Sequence, residues 1–328
     1  MPALSAFLAS CPALKEAAWR KPCAEGRMLA GADAATARRF FETNFQPYQV
    51  VNGDGSREGL VTGYYEPIIR ASRSRSRAFN YPLYAPPDDL LTIDLGEQYP
   101  ELKGMRLRGR LEGKRVVPYY SRAELMGPRQ GVLNGKALFY AADPIELFFL
   151  QVQGSGRLQL EDGGQARVGY GDHNGYPYQS IGKYLIDRGE LKAEQASMDG
   201  IKGWARANPG RVDELLNANP AYVFFRELPG NGTAGPPGTL GVPLTPGRSL
   251  AVDTKAIPLG APVFLATTHP NAPKPLNRLM LAQDTGGAIK GAVRADFYWG
   301  TGPEAGLQAG RMKQKGQMWV LIPMGVTQ

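Results

Sequence analysis

"AQDTGGAIKGAVRADFYWG" (residues 282–300) sets Asp284 and Asp296 twelve positions apart among small residues, with Phe297, Tyr298 and Trp299 directly behind the second. Glycine loses more backbone freedom on ordering than any other residue, so propensity cannot hold this stretch as a helix. Its shape must be imposed by a surrounding fold. Around it, short apolar runs alternate with turns: "SLAVD", "APVFLAT", "LMLAQD" and "MWVLIP". Runs of this length bounded by Gly and Pro describe a small closed β-barrel, so residues 240–328 read as all-β.

The bulk composition agrees with a punctuated, mainly β chain. The 328 residues include 41 Gly and 27 Pro, with 43% hydrophobic and 21% charged residues. That length favours two domains, each large enough to bury a core. The formal net charge of +8 points to an anionic partner. The one basic run, "SRSRSR" (residues 72–77), has no apolar period and reads as a solvated loop rather than a nucleic-acid tail. No window of about 18 apolar residues is present to span a membrane. "FLASC", ending at Cys11, has the spacing of a lipoprotein cleavage site. Too little hydrophobic sequence and no basic segment precede it, so the match reads as accidental. Cys11 and Cys23 are the two cysteines, and they stand equally well as a small closed loop or as two reduced thiols.

The first sixty residues look helical: in residues 34–45 Ala37, Phe40, Phe41 and Phe45 fall toward one side. A strand-like "GLVTGYYEPIIRA" follows, then a stretch rich in Arg, Pro and Gly with strand candidates "YPLYAP" and "KRVVPYY". A helical region comes next, with Asp143 as an N-cap before Pro144, an Ile181/Tyr184/Leu185 stripe ended at Gly189, and Ser197 capping a segment that Pro209 stops. From Gly230 a Gly/Pro-rich connection leads into the barrel strands.

With His173 and His269 as the only histidines, neither in ligand spacing, a metal centre or a Ser/His/Asp triad is disfavoured. Proton transfer falls to carboxyl groups. A carboxylic acid works near neutrality only if desolvation raises its pKa. Asp296 is the best placed: in a strand it shares a face with Tyr298, while Phe297 and Trp299 share the other. An aromatic ring beside a carboxyl is also a platform for the apolar face of a sugar. Asp284, entering a Gly-Gly turn, is expected to accept backbone N–H bonds, which would lower its pKa. Asp253 closes another apolar run, and three such aspartates within 44 residues suggest one cluster. "QGSGR" (residues 153–157) lacks the third glycine of a dinucleotide loop, and "GGAIKG" lacks phosphate-loop spacing. "TGYYEP" and "GYGDHNGYPYQS" mix hydroxyls, amides and tyrosines, a texture suited to a polyol ligand and equally to loops with buried tyrosines.

Taken in order, "VTGYYEP", "DPIELFFLQVQGSGRL", "NGYPYQSIGKYLIDRG", "NPAYVFFRE", "AVDTKAIPLGAPVFL" and "AQDTGGAIKG…ADFYWGTGPEAG" resemble the MltA family of membrane-bound lytic murein transglycosylases over residues 60–323, the last part resembling its 3D domain. The resemblance implies a mainly β fold. A double-psi β-barrel (residues 1–67 and 230–328, 3D motif about 240–325) would carry an inserted β-rich domain (68–229), some peripheral helices and a deep groove between the two. It maps the catalyst onto Asp296 and a supporting role onto Asp284. Candidate substrate contacts are Thr62, Gly63, Tyr64, Gln153, Gly154, Ser155, Asn174, Gly175, Tyr178, Asp253 and Tyr298.

The implied reaction cleaves the β-1,4 bond between N-acetylmuramic acid and N-acetylglucosamine without water, leaving a 1,6-anhydro ring, with no cofactor and no metal. The implied partners are peptidoglycan strands, with other cell-wall synthesis or hydrolysis proteins as further candidates and nucleic acid excluded. The implied location is the periplasm of a Gram-negative bacterium, with any membrane attachment through a lipid anchor absent from this chain. A hydrolytic endoglycanase using Asp284 as base, and a non-catalytic wall-binding protein, are the competing readings.

Overall fold

The computed structural model describes residues 2–102, 105, 107–230 and 234–325. The chain divides into two compact units, one built from residues 1–66 with 232–328 and the other from residues 67–231.

In the first unit a seven-stranded sheet runs in the order Phe45–Gln49, Lys313–Pro323, Pro262–Thr268, Pro275–Asp284, Ser249–Val252, Ala295–Thr301, Gly59–Glu66. The last of these pairs back onto Lys313–Pro323, so six strands close into a barrel and leave no free edge between them. Two pairings are parallel: Ser249–Val252 with Pro275–Asp284, and Ala295–Thr301 with Gly59–Glu66. Lys313–Pro323 is long enough to serve three partners along its length. The interior is filled by Val61, Leu250, Val252, Val263, Leu265, Leu281, Phe297, Met318 and Val320. Three helices, Pro2–Ser10, Arg20–Met28 and Ala34–Asn44, extend that core. Asp33 caps the third through the Thr36 amide, and Phe7, Phe40, Phe41 and Phe45 pack edge to face at 5.1–6.0 Å. The Gln283 amide donates to Ala6 O and Ser10 Oγ, tying the first helix to the strand that ends in Asp284.

The all-β reading of residues 240–328 needs one correction: Pro303–Arg311 is a helix, and Pro303 occupies its first position. A glycine at 306 weakens its propensity, but Tyr65 lies only 2.9 Å from where a Cβ there would stand, so packing requires the bare backbone.

The second unit holds a six-stranded sheet in the order Val223–Leu228, Gln165–His173, Gly156–Leu160, Ile68–Ser72, Ala137–Ala141, Tyr81–Tyr84, and a three-stranded sheet of Leu91–Ile93, Leu107–Glu112 and Arg115–Pro118. Its helices follow the expected caps. Asp143 accepts from the Ile145 and Glu146 amides ahead of Pro144–Gln153, and Ser197 accepts from Gly200 ahead of Met198–Ala207. Ile145, Phe148, Ile181, Leu185, Trp204 and Leu215 form a core of their own.

Cys11 and Cys23 form a disulfide, which closes the small loop and commits the Cys11 thiol. Replacing both with serine (Cys11→Ser, Cys23→Ser) is expected to lower the unfolding free energy by about 2–3 kcal/mol, the loop-closure contribution of a short bridge. Urea midpoints of the two proteins check this, and coincident midpoints would show the bridge to be idle.

Candidate active site

Strand pairing brings residues from opposite ends of the chain onto one line. Asp296 stands opposite Thr62 on one side and opposite Ala251 on the other, and Ala251 stands opposite Asp284. Two strand spacings put the Asp284 and Asp296 Cα atoms about 10 Å apart, with Ala251 on the strand between them. Alternation along Ala295–Thr301 turns Ala295 and Phe297 into the core and leaves Asp296 partly open on the opposite face.

Each carboxylate has its own set of donors. The Thr62 hydroxyl donates to Asp296 Oδ1 at 2.7 Å, and Arg294 Nη2 donates to Thr62 Oγ1 at 2.9 Å. Asp284 Oδ1 accepts from the Thr239 amide (2.9 Å) and hydroxyl (3.0 Å), and Oδ2 accepts from the Tyr64 phenol at 3.1 Å. The Tyr64 ring leans on Tyr298 with centroids 5.2 Å apart.

Burial pushes the Asp296 carboxyl up to about 6, with the negative charge of Asp284 adding and the Thr62 donor and Arg294 charge opposing. Asp284 is also raised. Burial outweighs its donors, which come from Thr239, Thr285 and Tyr64 rather than from the Gly-Gly turn, so the expected lowering is overturned. Burial likewise holds the Tyr64 phenol well above its ordinary value, keeping it a donor.

Several candidates take other roles. Asp253 accepts from the Lys255 (3.1 Å) and Gly291 (2.8 Å) amides and faces Lys255 and Lys290. Burial alone would raise it, but these donors and charges hold it below the ordinary range. It pins the loop running from Asp284 to Asp296 instead of joining their cluster. Tyr298 is fully buried, so it supports Tyr64 and is no sugar platform. At Gly63 a Cβ would stand 2.7 Å from Trp299 Nε1 and 2.8 Å from Ala309 Cα, which makes this glycine a packing requirement.

In the second unit, Gln153 ends its helix, Gly154 supplies the left-handed cap at φ 78°, and Ser155 follows, partly exposed. Asn174 is buried, donating to Tyr120 O and Pro220 O and accepting from the Tyr222 amide. Both its N–H donors are committed to backbone carbonyls and the side chain is buried, so it works as an internal brace. Gly175 sits at φ 86° against Arg108, and Tyr178 is exposed. Among the described residues no group of three or more His, Cys, Asp or Glu is placed to hold a metal.

Two functional neighbours escaped the sequence reading. Thr239 lies in the Gly/Pro-rich connection, where no periodicity marks it. Arg294 sits two positions before Asp296 in "RADFYWG", and the period of two that put Tyr298 beside Asp296 was a signal for it as well.

Comparison with known proteins agrees with this arrangement. The MltA specific insert domain matches residues 60–226 and the 3D domain matches residues 248–322. Membrane-bound lytic murein transglycosylase A of Escherichia coli K12 is 36% identical over 302 residues, covering 90% of this chain and 73% of that protein. The MltA crystal structure from Neisseria gonorrhoeae superposes with a TM-score of 0.86 at 44% identity, covering 99% of this chain and 88% of that one. E. coli MltA with bound chitohexaose gives 0.71 at 30% identity, covering 97% and 89%. The barrel with its paired carboxyls thus places the chain among carbohydrate-cleaving enzymes. It belongs to the MltA family of lytic murein transglycosylases.

The raised acid has a stability consequence. A carboxyl lifted from 3.8 to about 6 favours folding while it is protonated, and that contribution fades as pH rises from 3.8 through about 6. Asp296→Asn removes the titration while keeping an acceptor for Thr62. The variant should be more stable than the parent by about 1–3 kcal/mol at pH 7 and equal to it near pH 4. Thermal melts across that range decide it.

Proposed function

We propose that this chain cleaves the β-1,4 bond between N-acetylmuramic acid and N-acetylglucosamine in peptidoglycan by a single-carboxyl mechanism centred on Asp296. What supports the reading is one partly open acid, raised to about 6 by burial and fixed by Thr62. Neutral Asp296 protonates the glycosidic oxygen, the bond to C1 breaks, and positive charge develops at C1 and the ring oxygen. The resulting carboxylate takes the proton of the muramyl C6 hydroxyl, whose oxygen closes onto C1. Water is neither consumed nor released. The nucleophile is tethered to the reacting ring, so effective molarity replaces a bound water. Asp284, in its carboxylate form, offsets the positive charge electrostatically.

The two-carboxylate hydrolytic route is less well supported because Asp284 is the more heavily committed carboxylate, Oδ1 accepting twice from Thr239 and Oδ2 once from Tyr64. A base that must activate water needs a free lone pair aimed at it. The exposed Tyr178, with Ser155 and Gln153, remains a candidate for glycan contact. In the finer fold the barrel is of the double-psi type and catalytic, and residues 67–231 form an inserted, substrate-holding domain. The excess positive charge suits a polymer bearing lactyl and peptide carboxylates. No helix among the described residues is long and apolar enough to cross a membrane. Relatives from E. coli and Vibrio cholerae are named membrane-bound. We place this chain in the periplasm, associated with the outer membrane.

Asp296→Asn should reduce turnover by about 10²–10⁴-fold, the contribution of a general acid, while glycan binding persists. Mass spectrometry of digested sacculi reads the product: anhydro ends support the mechanism, and reducing ends, heavier by one water, would replace it with hydrolysis. For the parent enzyme kcat/KM should fall about tenfold per pH unit above about 6, as the acid loses its proton.

A further inference from the structure

We propose that Arg294 is a positioning residue for this reaction: it fixes the direction of the Thr62 hydroxyl and so confines the transferable proton of Asp296 to Oδ2. The inference rests on the reading of Asp296 as the acid.

A guanidinium can only donate hydrogen bonds, whereas a hydroxyl has one hydrogen and two lone pairs. Arg294 Nη2 occupies a lone pair of Thr62 Oγ1 at 2.9 Å, so the single hydrogen of that hydroxyl is left to Asp296 Oδ1, 2.7 Å away. Arg294 is itself anchored, because its Nη1 donates to the carbonyl oxygens of Ala295 and Leu60, one on each of the two paired strands. Turning the hydroxyl to accept from a protonated Oδ1 would take from its hydrogen the acceptor it has here, with one lone pair already held by Arg294. A proton on Asp296 therefore resides on Oδ2, and Oδ2 is the oxygen that delivers it to the leaving group and later receives the C6 hydroxyl proton. One oxygen handles both transfers without rotation of the carboxyl.

Arg294 also places a positive charge one hydroxyl away from Asp296. The other groups facing the carboxyl are Tyr64 from Gly59–Glu66, Tyr298 from its own strand and Asp284 from Pro275–Asp284. Ser249–Val252 contributes only the Ala251 methyl. Arg294 is thus the cation that keeps the carboxylate accessible after the first transfer, opposing Asp284.

The test is the pH dependence of kcat and kcat/KM on soluble peptidoglycan fragments, followed by release of anhydro products. Arg294→Met and Arg294→Gln should move the alkaline limb of kcat/KM up by about one pH unit, as loss of a nearby opposite charge requires. They should also lower kcat by about tenfold, with KM within about twofold. Arg294→Lys, which retains the charge, should keep the limb near that of the parent. Thr62→Val should shift the limb in the same direction, and the double variant Thr62→Val, Arg294→Met should shift it by less than the sum, because one effect passes through the other. An unmoved limb in both uncharged variants, or strictly additive effects in the double, would overturn the role of Arg294. Asp296→Asn in the same assay keeps the two readings apart: if it is active, the acid is misassigned. If it is inactive while the Arg294 limb does not move, only the positioning role fails.

Discussion

The parallel pairing of Gly59–Glu66 with Ala295–Thr301 is the constraint on which the site depends. It joins segments more than 230 residues apart in sequence and sets Thr62 directly opposite Asp296. Because side chains in a strand alternate with a period of two, a slip of one residue would turn Asp296 into the core and Phe297 outward. Phe297 is what forbids the slip. It is fully buried, packs on Trp299 at 4.7 Å, and stands opposite Leu250 in the neighbouring strand. The hydrophobic core thus sets the register, and the register sets the chemistry.

Placement on a barrel face has a second consequence. A carboxyl there loses part of its hydration while remaining open on one side, and a raised pKa follows from that environment. The fold meets this cost by arranging donors asymmetrically. Asp284 receives Thr239 and Tyr64, so both its oxygens are engaged, whereas among the described residues the side-chain donor to Asp296 is Thr62. Two carboxyls about 10 Å apart at Cα by strand spacing are given different work by their surroundings.

Much of this was legible in the chain. The apolar runs bounded by Gly and Pro described barrel strands, Asp143 and Ser197 capped the helices they preceded, and the alternation in "ADFYWG" separated Asp296 from Phe297 before any coordinates. The misreadings share a cause. Asn174, Gly63 and Tyr298 carry residue types that suit sugar binding, yet each is committed internally: Asn174 to three backbone groups, Gly63 to a close approach of Trp299 and Ala309, Tyr298 to full burial. Residue type states what a side chain is able to do, and only its neighbours state whether that capacity is already in use. The helix Pro303–Arg311 was missed for a related reason, since its glycines argue against a helix until Tyr65 is seen to require one of them.

Local order, in the form of alternation, caps and turns, was determined by the sequence itself, because these depend on residues a few positions apart and on backbone sterics common to all chains. The motifs likewise sufficed to mark Asp296 as the acid to examine. Tertiary structure alone decided that Asp253 pins a loop, that Thr239 and Arg294 stand over the two carboxyls, and that burial at Asp284 outweighs its donors. These are balances between desolvation and hydrogen bonding, and their magnitude depends on atoms contributed by strands and loops that sequence separation keeps far apart.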